Sequence, residues 1–212
     1  MTATVVPDDD AGRETAIGVL RRGGLVALPT DTVYGIGVDL AAEGGIERLF
    51  AAKGRPADRA VMLLLADATQ AADLAEWPRL AAALAATFWP GGLTLVVPQR
   101  ADVALPSALT GGRPTIGLRV PDHPSPRALA AALGPLPVTS ANASGEPEAA
   151  TAEEIVTRLG GAIDLVLDGG ASGGGPPSTV VDCTGPEARI LRSGAIDPEL
   201  IAACLRGARL AP

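Results

Sequence analysis

Val61-Met62-Leu63-Leu64-Leu65 is an unbroken apolar run. A strand with one wet face alternates, so this run predicts a strand buried on both faces. Covering both faces needs helices, and the neighbouring sequence supplies them, because segments of helical period separate short extended runs along the chain. The expected fold is a single α/β domain over residues 1–212, with a core at about 10–205 and a mixed parallel and antiparallel sheet flanked by helices.

Residues 8–22 predict a helix, with acidic residues at its start and Arg21 and Arg22 in its last turn, both complementing the helix dipole. Gly23 and Gly24 stop it. Residues 25–28 predict a strand that runs into Pro29-Thr30-Asp31-Thr32, and residues 33–38 a second extended run, in which Gly35 and Gly37 mark a close approach of backbone or ligand. Ile46, Leu49 and Phe50 recur at helical spacing over 43–52, which puts Lys53 at a helix C-terminus. Helices are expected over 67–75, 78–88 and 125–133, and strands over 93–97, 115–121, 136–140 and 163–167. Thr151 and Glu154 form a capping box for a helix reaching residue 159. Residues 169–177, rich in Gly and Pro, read as a loop. Residues 178–182 and 188–192 then predict a β pair, and Asp197-Pro198 opens a last helix to about 206.

Several function classes are disfavoured. The longest apolar runs fall well short of the roughly 18 to 20 residues that span a bilayer, and the acidic Asp8-Asp9-Asp10 start lacks a signal-peptide layout, so a cytoplasmic location is the default expectation. Cys183 and Cys204 have no metal-ligand neighbours at useful spacing and read as buried thiols. A net charge of −7 and 2% aromatic residues argue against a broad nucleic-acid footprint. Gly35-Ile36-Gly37 lacks the third glycine of a dinucleotide fingerprint, and the Gly-rich stretch before Ser178-Thr179 lacks the lysine of a P-loop.

Lys53 is the only lysine, against sixteen arginines, which suggests a position that needs a compact ammonium rather than a planar fork. On position alone it reads equally as a cation complementing the end of its helix. Tyr34, His123 and Asn142 are the other singletons; His123, in a Pro-rich turn, reads as a surface or capping residue. Thr30, Thr32, Lys53, Arg55, Arg119, Ser140, Asn142, Ser178, Thr179 and Arg192 all sit where expected elements give way to loops, the usual ligand-binding position in open α/β sheets. Four cations with hydroxyls and an amide make a cradle for a polyanion.

Six stretches together resemble one family. Pro29-Thr30-Asp31-Thr32-Val33-Tyr34-Gly35, Lys53-Gly54-Arg55-Pro56, residues 115–121, Thr139-Ser140-Ala141-Asn142-Ala143-Ser144-Gly145, Ser178-Thr179-Val180-Val181-Asp182 and Leu191-Arg192-Ser193-Gly194 are similar, in order, to the YrdC/Sua5 family of threonylcarbamoyladenylate synthases, in its short form without the C-terminal Sua5 domain. The resemblance implies a twisted sheet with a large concave cavity. It implies condensation of L-threonine, bicarbonate and ATP, with Mg²⁺ accompanying ATP, to threonylcarbamoyl-AMP and pyrophosphate. The product would pass to a threonylcarbamoyl transferase complex for modification of adenosine 37 in tRNA.

The same resemblance implies catalytic Lys53 and Arg55. Thr32, Leu64, Arg119, Thr139 and Thr179 are implied for threonine and bicarbonate; Lys53, Arg55, Arg59, Thr115, Ser140, Asn142 and Arg192 are implied for ATP. No metal ligand from a protein side chain is expected. Two positions depart from the family pattern: Arg59 stands beyond the Lys-Gly-Arg-Pro motif where an Asn or Lys is common, and Leu64 where many relatives place a histidine. The alternatives are a double-stranded RNA or tRNA-binding module without synthase activity, and a carbamoyl-adenylate domain of hydrogenase maturation, whose acylphosphatase and zinc-finger segments have no counterpart here.

Overall fold

The computed structural model describes residues 2–54, 56, 59–143, 146–173 and 175–210. In chain order the elements are β1 (Thr4–Pro7), α1 (Asp10–Arg21), β2 (Val26–Leu28), β3 (Gly35–Gly37), α2 (Gly45–Lys53), β4 (Met62–Leu64), α3 (Thr69–Ala72), α4 (Arg79–Phe88) and β5 (Leu93–Pro98). They continue with α5 (Ser107–Thr110), β6 (Thr115–Arg119), α6 (Pro124–Leu133), β7 (Leu136–Ser140), α7 (Ala152–Leu159), β8 (Leu165–Asp168), β9 (Thr179–Asp182), β10 (Arg189–Arg192) and α8 (Pro198–Leu210).

All the strands join one mixed sheet of order β1-β8-β2-β3-β7-β4-β6-β5-β9-β10. β4 pairs parallel with β6 and antiparallel with β7, so the apolar run lies at the centre of the sheet. Its alternate side chains enter two separate cores. Leu63 belongs to the core that also holds Ala27, Ile36, Leu118, Val166 and residues of α2, α4 and α7. Leu64 belongs to the other core, with Val26, Leu28, Leu136 and Val138 of the sheet and Ala16, Leu20 and Leu129 of α1 and α6. Side chains alternate across a sheet, so these two cores are its two faces. The expectation of a strand buried on both sides is met.

Local chemistry sets the boundaries. Asp9 Oδ1 accepts the Gly12 N–H at 2.8 Å and starts α1. Gly54 ends α2 in the left-handed region at φ 59°, leaving Lys53 as its last residue. Thr151 Oγ1 accepts the Glu154 N–H, while the Glu154 carboxylate reaches back to the Ala150 N–H rather than to that of Thr151. Gly35 abuts β7 so closely that a Cβ there would meet Val138 Cγ1 at 2.5 Å.

Three departures from the sequence expectations have physical causes. The helix expected over 67–75 contracts to α3, because the Asp67 carboxylate turns back onto the Thr69 N–H and Ala75 is drawn into a β-bridge with Gln99. β1 was not anticipated: it is a four-residue edge strand, too short to show an alternation, held by parallel pairing to β8. The single turn of α5 is too short to show a period.

Candidate active site

The α1 and α6 layer covers the β8, β2 and β7 part of its face. Beyond it, over β4, β6, β5 and β9, lie two adjoining cavities. The first, about 120 Å³, is walled by Thr30, Thr32, Leu64, Arg119, Thr139, Ser140 and Ser178, with Met62 and Val138 nearby. The second, about 230 Å³, is walled by Thr94, Val96, Arg113, Thr115, Gly117 and Val180. Ala60, Val61, Met62 and Arg192 border both, so Arg192 is the charged side chain they share among the described residues. The site therefore lies across the face of β4. β7 runs antiparallel, which brings Ser140 near the start of β4, while Arg119 pairs with Leu64 at its end.

Arg119, 3% exposed, is held on three sides. Its Nε donates to Gly91 O at 3.0 Å, Nη1 to Thr32 Oγ1 at 3.0 Å and Nη2 to Asp31 Oδ1 at 2.6 Å. Burial pulls its pKa below the usual arginine value and the Asp31 charge works against that fall. Three of its five N–H groups are engaged, leaving two for a ligand. Thr32 is itself placed by Thr30, whose Oγ1 accepts the Thr32 N–H at 3.1 Å and donates to Val33 O at 2.7 Å.

Arg192 is aimed by a β-bulge. The β9–β10 register shifts between Ile190 and Arg192, so Arg192 faces Val180 and Leu191 becomes the extra, exposed residue. Its Nε and Nη2 both donate to Ser178 O, at 3.1 and 2.8 Å, and Nη2 also reaches Ser178 Oγ at 3.1 Å. Ser178 Oγ lies 2.8 Å from buried Thr94 Oγ1. Partial burial draws the Arg192 pKa down, against the attraction of Glu148.

Lys53, 4% exposed, stands behind the Thr139 and Ser140 wall. Its ammonium donates to Ser140 O and to Asn142 Oδ1 at 3.0 Å, and Thr139 Oγ1 and Ser140 Oγ lie at 3.4 and 3.3 Å. Asn142 Nδ2 donates to Glu146 O, which fixes the amide with its oxygen toward the lysine.

The remaining sequence candidates are placed as follows. Thr115 lines the second cavity. Thr179 is turned away from both cavities, with its hydroxyl donating to Ile196 O at 2.8 Å and accepting the Ile196 N–H at 2.9 Å. Arg59 is exposed. Arg55, Ser144 and Gly145 lie outside the described residues. His123 caps α6, its Nδ1 accepting the Ser125 N–H, and burial lowers its pKa, in keeping with a neutral acceptor. Sequence reasoning assigned no role to Asp31, Thr94 or Arg113. A carboxylate beside two motif threonines was a usable signal for Asp31; Thr94, in an apolar strand, offered none.

Among the described residues no group of three or more His, Cys, Asp or Glu is placed to hold a metal ion, and no helix is long and apolar enough to cross a membrane.

Comparison with known proteins gives a consistent set of matches. Residues 18–194 match the family model Sua5/YciO/YrdC, described as "Telomere recombination". The chain is 40% identical over 192 residues to a threonylcarbamoyl-AMP synthase of Bacillus subtilis, covering 90% of this chain and 55% of the relative. It is 36% identical over 185 residues to one of Vibrio cholerae, covering 85% of this chain and 96% of that one. A solved structure of Pyrococcus abyssi Sua5 complexed with L-threonine superposes with a TM-score of 0.88 at 36% identity, over 96% of this chain and 60% of that one. The chain thus spans little more than half of the longer relatives and nearly all of the shorter.

Proposed function

The chain belongs to the Sua5/YciO/YrdC family, and from that premise we propose that it is an L-threonylcarbamoyladenylate synthase. Its relatives' names support this reading. The observation that carries it is the pair of adjoining cavities with Arg192 between them.

In the proposed reaction the threonine amine attacks the carbon of bicarbonate and water is lost, giving a carbamate. A carbamate oxygen then attacks the α-phosphorus of ATP. The bond from that phosphorus to the β-bridging oxygen breaks, and pyrophosphate leaves with the electron pair. This is nucleotidyl transfer between two anions, so charge neutralisation and positioning are the main demands on the protein. Threonine fits the first cavity, with its carboxylate toward the free N–H groups of Arg119 and its hydroxyl among Thr32 and Thr139. ATP fits the second, where Arg113 and Thr115 supply donors. Arg192 faces both reacting anions and offsets their repulsion.

Lys53 contributes its charge from behind Ser140 and Asn142, and Arg55 is assigned to the phosphates by family resemblance alone. Magnesium would enter this scheme with ATP as the counter-ion of its phosphates, and would lower the charge that Arg192 has to offset. The product would pass to a threonylcarbamoyl transferase complex acting on adenosine 37 of tRNA.

The test is pyrophosphate release from ATP with threonine and bicarbonate supplied together or singly. Release is expected only when both are present. Release that ignores threonine would falsify the assignment.

A further inference from the structure

Tyr34 is a motif residue to which the reaction gives no task, yet it bonds to two separate parts of the site's framework. Its side chain is fully buried, and its hydroxyl donates to Gly170 O at 2.7 Å and accepts the Gly169 N–H at 3.1 Å. Its backbone carbonyl accepts the Ala141 N–H at 2.8 Å, at the turn that carries Asn142. Thr32, which receives Arg119, lies two residues before it.

Gly169 is seated tightly as well. A Cβ there would lie 2.7 Å from Pro29 Cγ, at the head of the same Thr30 and Thr32 segment. The stretch that begins at Gly169 leads on to Pro177 and Ser178, which line the first cavity, and Ser178 holds Arg192. At that far end Pro177 O accepts the Ala195 N–H at 2.9 Å. Burial raises the Tyr34 pKa, so the hydroxyl keeps the proton it donates to Gly170.

We propose that Tyr34 is a positioning residue: one side chain ties the start of the 169–177 stretch to the Thr32 segment and the Asn142 turn, setting the distance between opposite walls of the first cavity. The kinetic half of this proposal rests on the synthase reading; the structural half does not.

The experiment is Tyr34→Phe, which keeps the ring and removes both hydroxyl bonds. Amide hydrogen exchange at residues 169–173 is expected to accelerate about tenfold, with the amides of β2 and β7 unchanged. KM for threonine is expected to rise about three- to tenfold while kcat stays within about twofold, because the loosened wall must be ordered at each binding event. Unchanged exchange at 169–173 overturns the tether, as does equal acceleration throughout the sheet, which would mark a plain packing role. Local acceleration with unaltered KM overturns the positioning role. If wild-type protein releases no threonine-dependent pyrophosphate, the synthase reading and the kinetic half fail together, and the exchange measurement still decides the tether.

Discussion

Lys53 Nζ lies 3.0 Å from Asn142 Oδ1, so the chain's only lysine and only asparagine hold each other behind the cavity wall. The bond joins the end of α2 to the turn after β7. It also explains the choice of lysine: a compact ammonium reaches Ser140 O and Asn142 Oδ1 together in a space where a planar guanidinium is bulkier and fixed in shape. The helix-end and ligand-site readings of Lys53 are therefore not exclusive, since it ends α2 and is also buried against the site.

Lys53→Ala is expected to cost about 1 to 3 kcal/mol of stability by leaving buried acceptors unpaired. Pyrophosphate release should fall about a hundredfold or more. Lys53→Arg should fail to rescue it. Thermal melts and steady-state assays check both, and a fully active Lys53→Arg variant would show that charge alone suffices.

Asp31 pairs at 2.6 Å with the buried Arg119, their side chains 14% and 4% exposed. Removing the carboxylate leaves a guanidinium in low dielectric with two neutral acceptors, Thr32 Oγ1 and Gly91 O. Asp31→Ala should then lose about 3 to 5 kcal/mol in urea unfolding. Asp31→Asn, which can still accept from Nη2, should lose less. A loss for Asp31→Ala under about 1 kcal/mol would mean that Arg119 finds solvent or another acceptor when the acid is gone.

Burial, with the charge of Asp182 adding to it, pushes the Cys183 thiol up to about 12. At pH 8 its thiolate is then about one part in ten thousand, and iodoacetamide should label the partly exposed Cys204 but not Cys183 in native protein. Urea should make both reactive. The sign for stability follows from the same shift: the folded-state pKa lies above the ordinary 9.0, so the contribution is intact below pH 9 and is lost as the pH rises toward about 12. Equal native labelling of the two thiols would contradict the buried position.

Much of this was legible because local and global signals agreed. The unbroken run at Val61–Leu65 announced a central strand, and Ile46, Leu49 and Phe50 fixed the helix that ends at Lys53. His123, read from its Pro-rich turn as a surface or capping residue, caps α6. Illegible were features set by tertiary contact. The candidates do sit at the ends of their elements, as expected, but no period or motif shows that Arg192 sits past a β-bulge, or that antiparallel β7 brings Ser140 to the start of β4, so that these ends gather over one face. Thr179 and Ser178 are adjacent in one motif, yet strand alternation gives them different tasks. Thr179 anchors Ile196, and Ser178 holds Arg192.

Thr94 stands one step further back. Arg192 Nη2 donates to Ser178 Oγ, so the Ser178 proton is free to go to Thr94 Oγ1, 2.8 Å away. Thr94→Val removes that acceptor, frees the Ser178 hydroxyl to rotate and loosens the aim of Arg192. Because Arg192 borders both cavities, KM for ATP and KM for threonine should rise together, each by about three- to tenfold, the worth of one hydrogen bond. Thr94→Ser should restore both. In an Arg192→Ala background the Thr94→Val change should add little, since the two act as one unit. Steady-state kinetics with each substrate varied in turn reads the outcome. A rise confined to one substrate would assign Arg192 to a single cavity, and the shared cation between the two anions would have to be sought elsewhere.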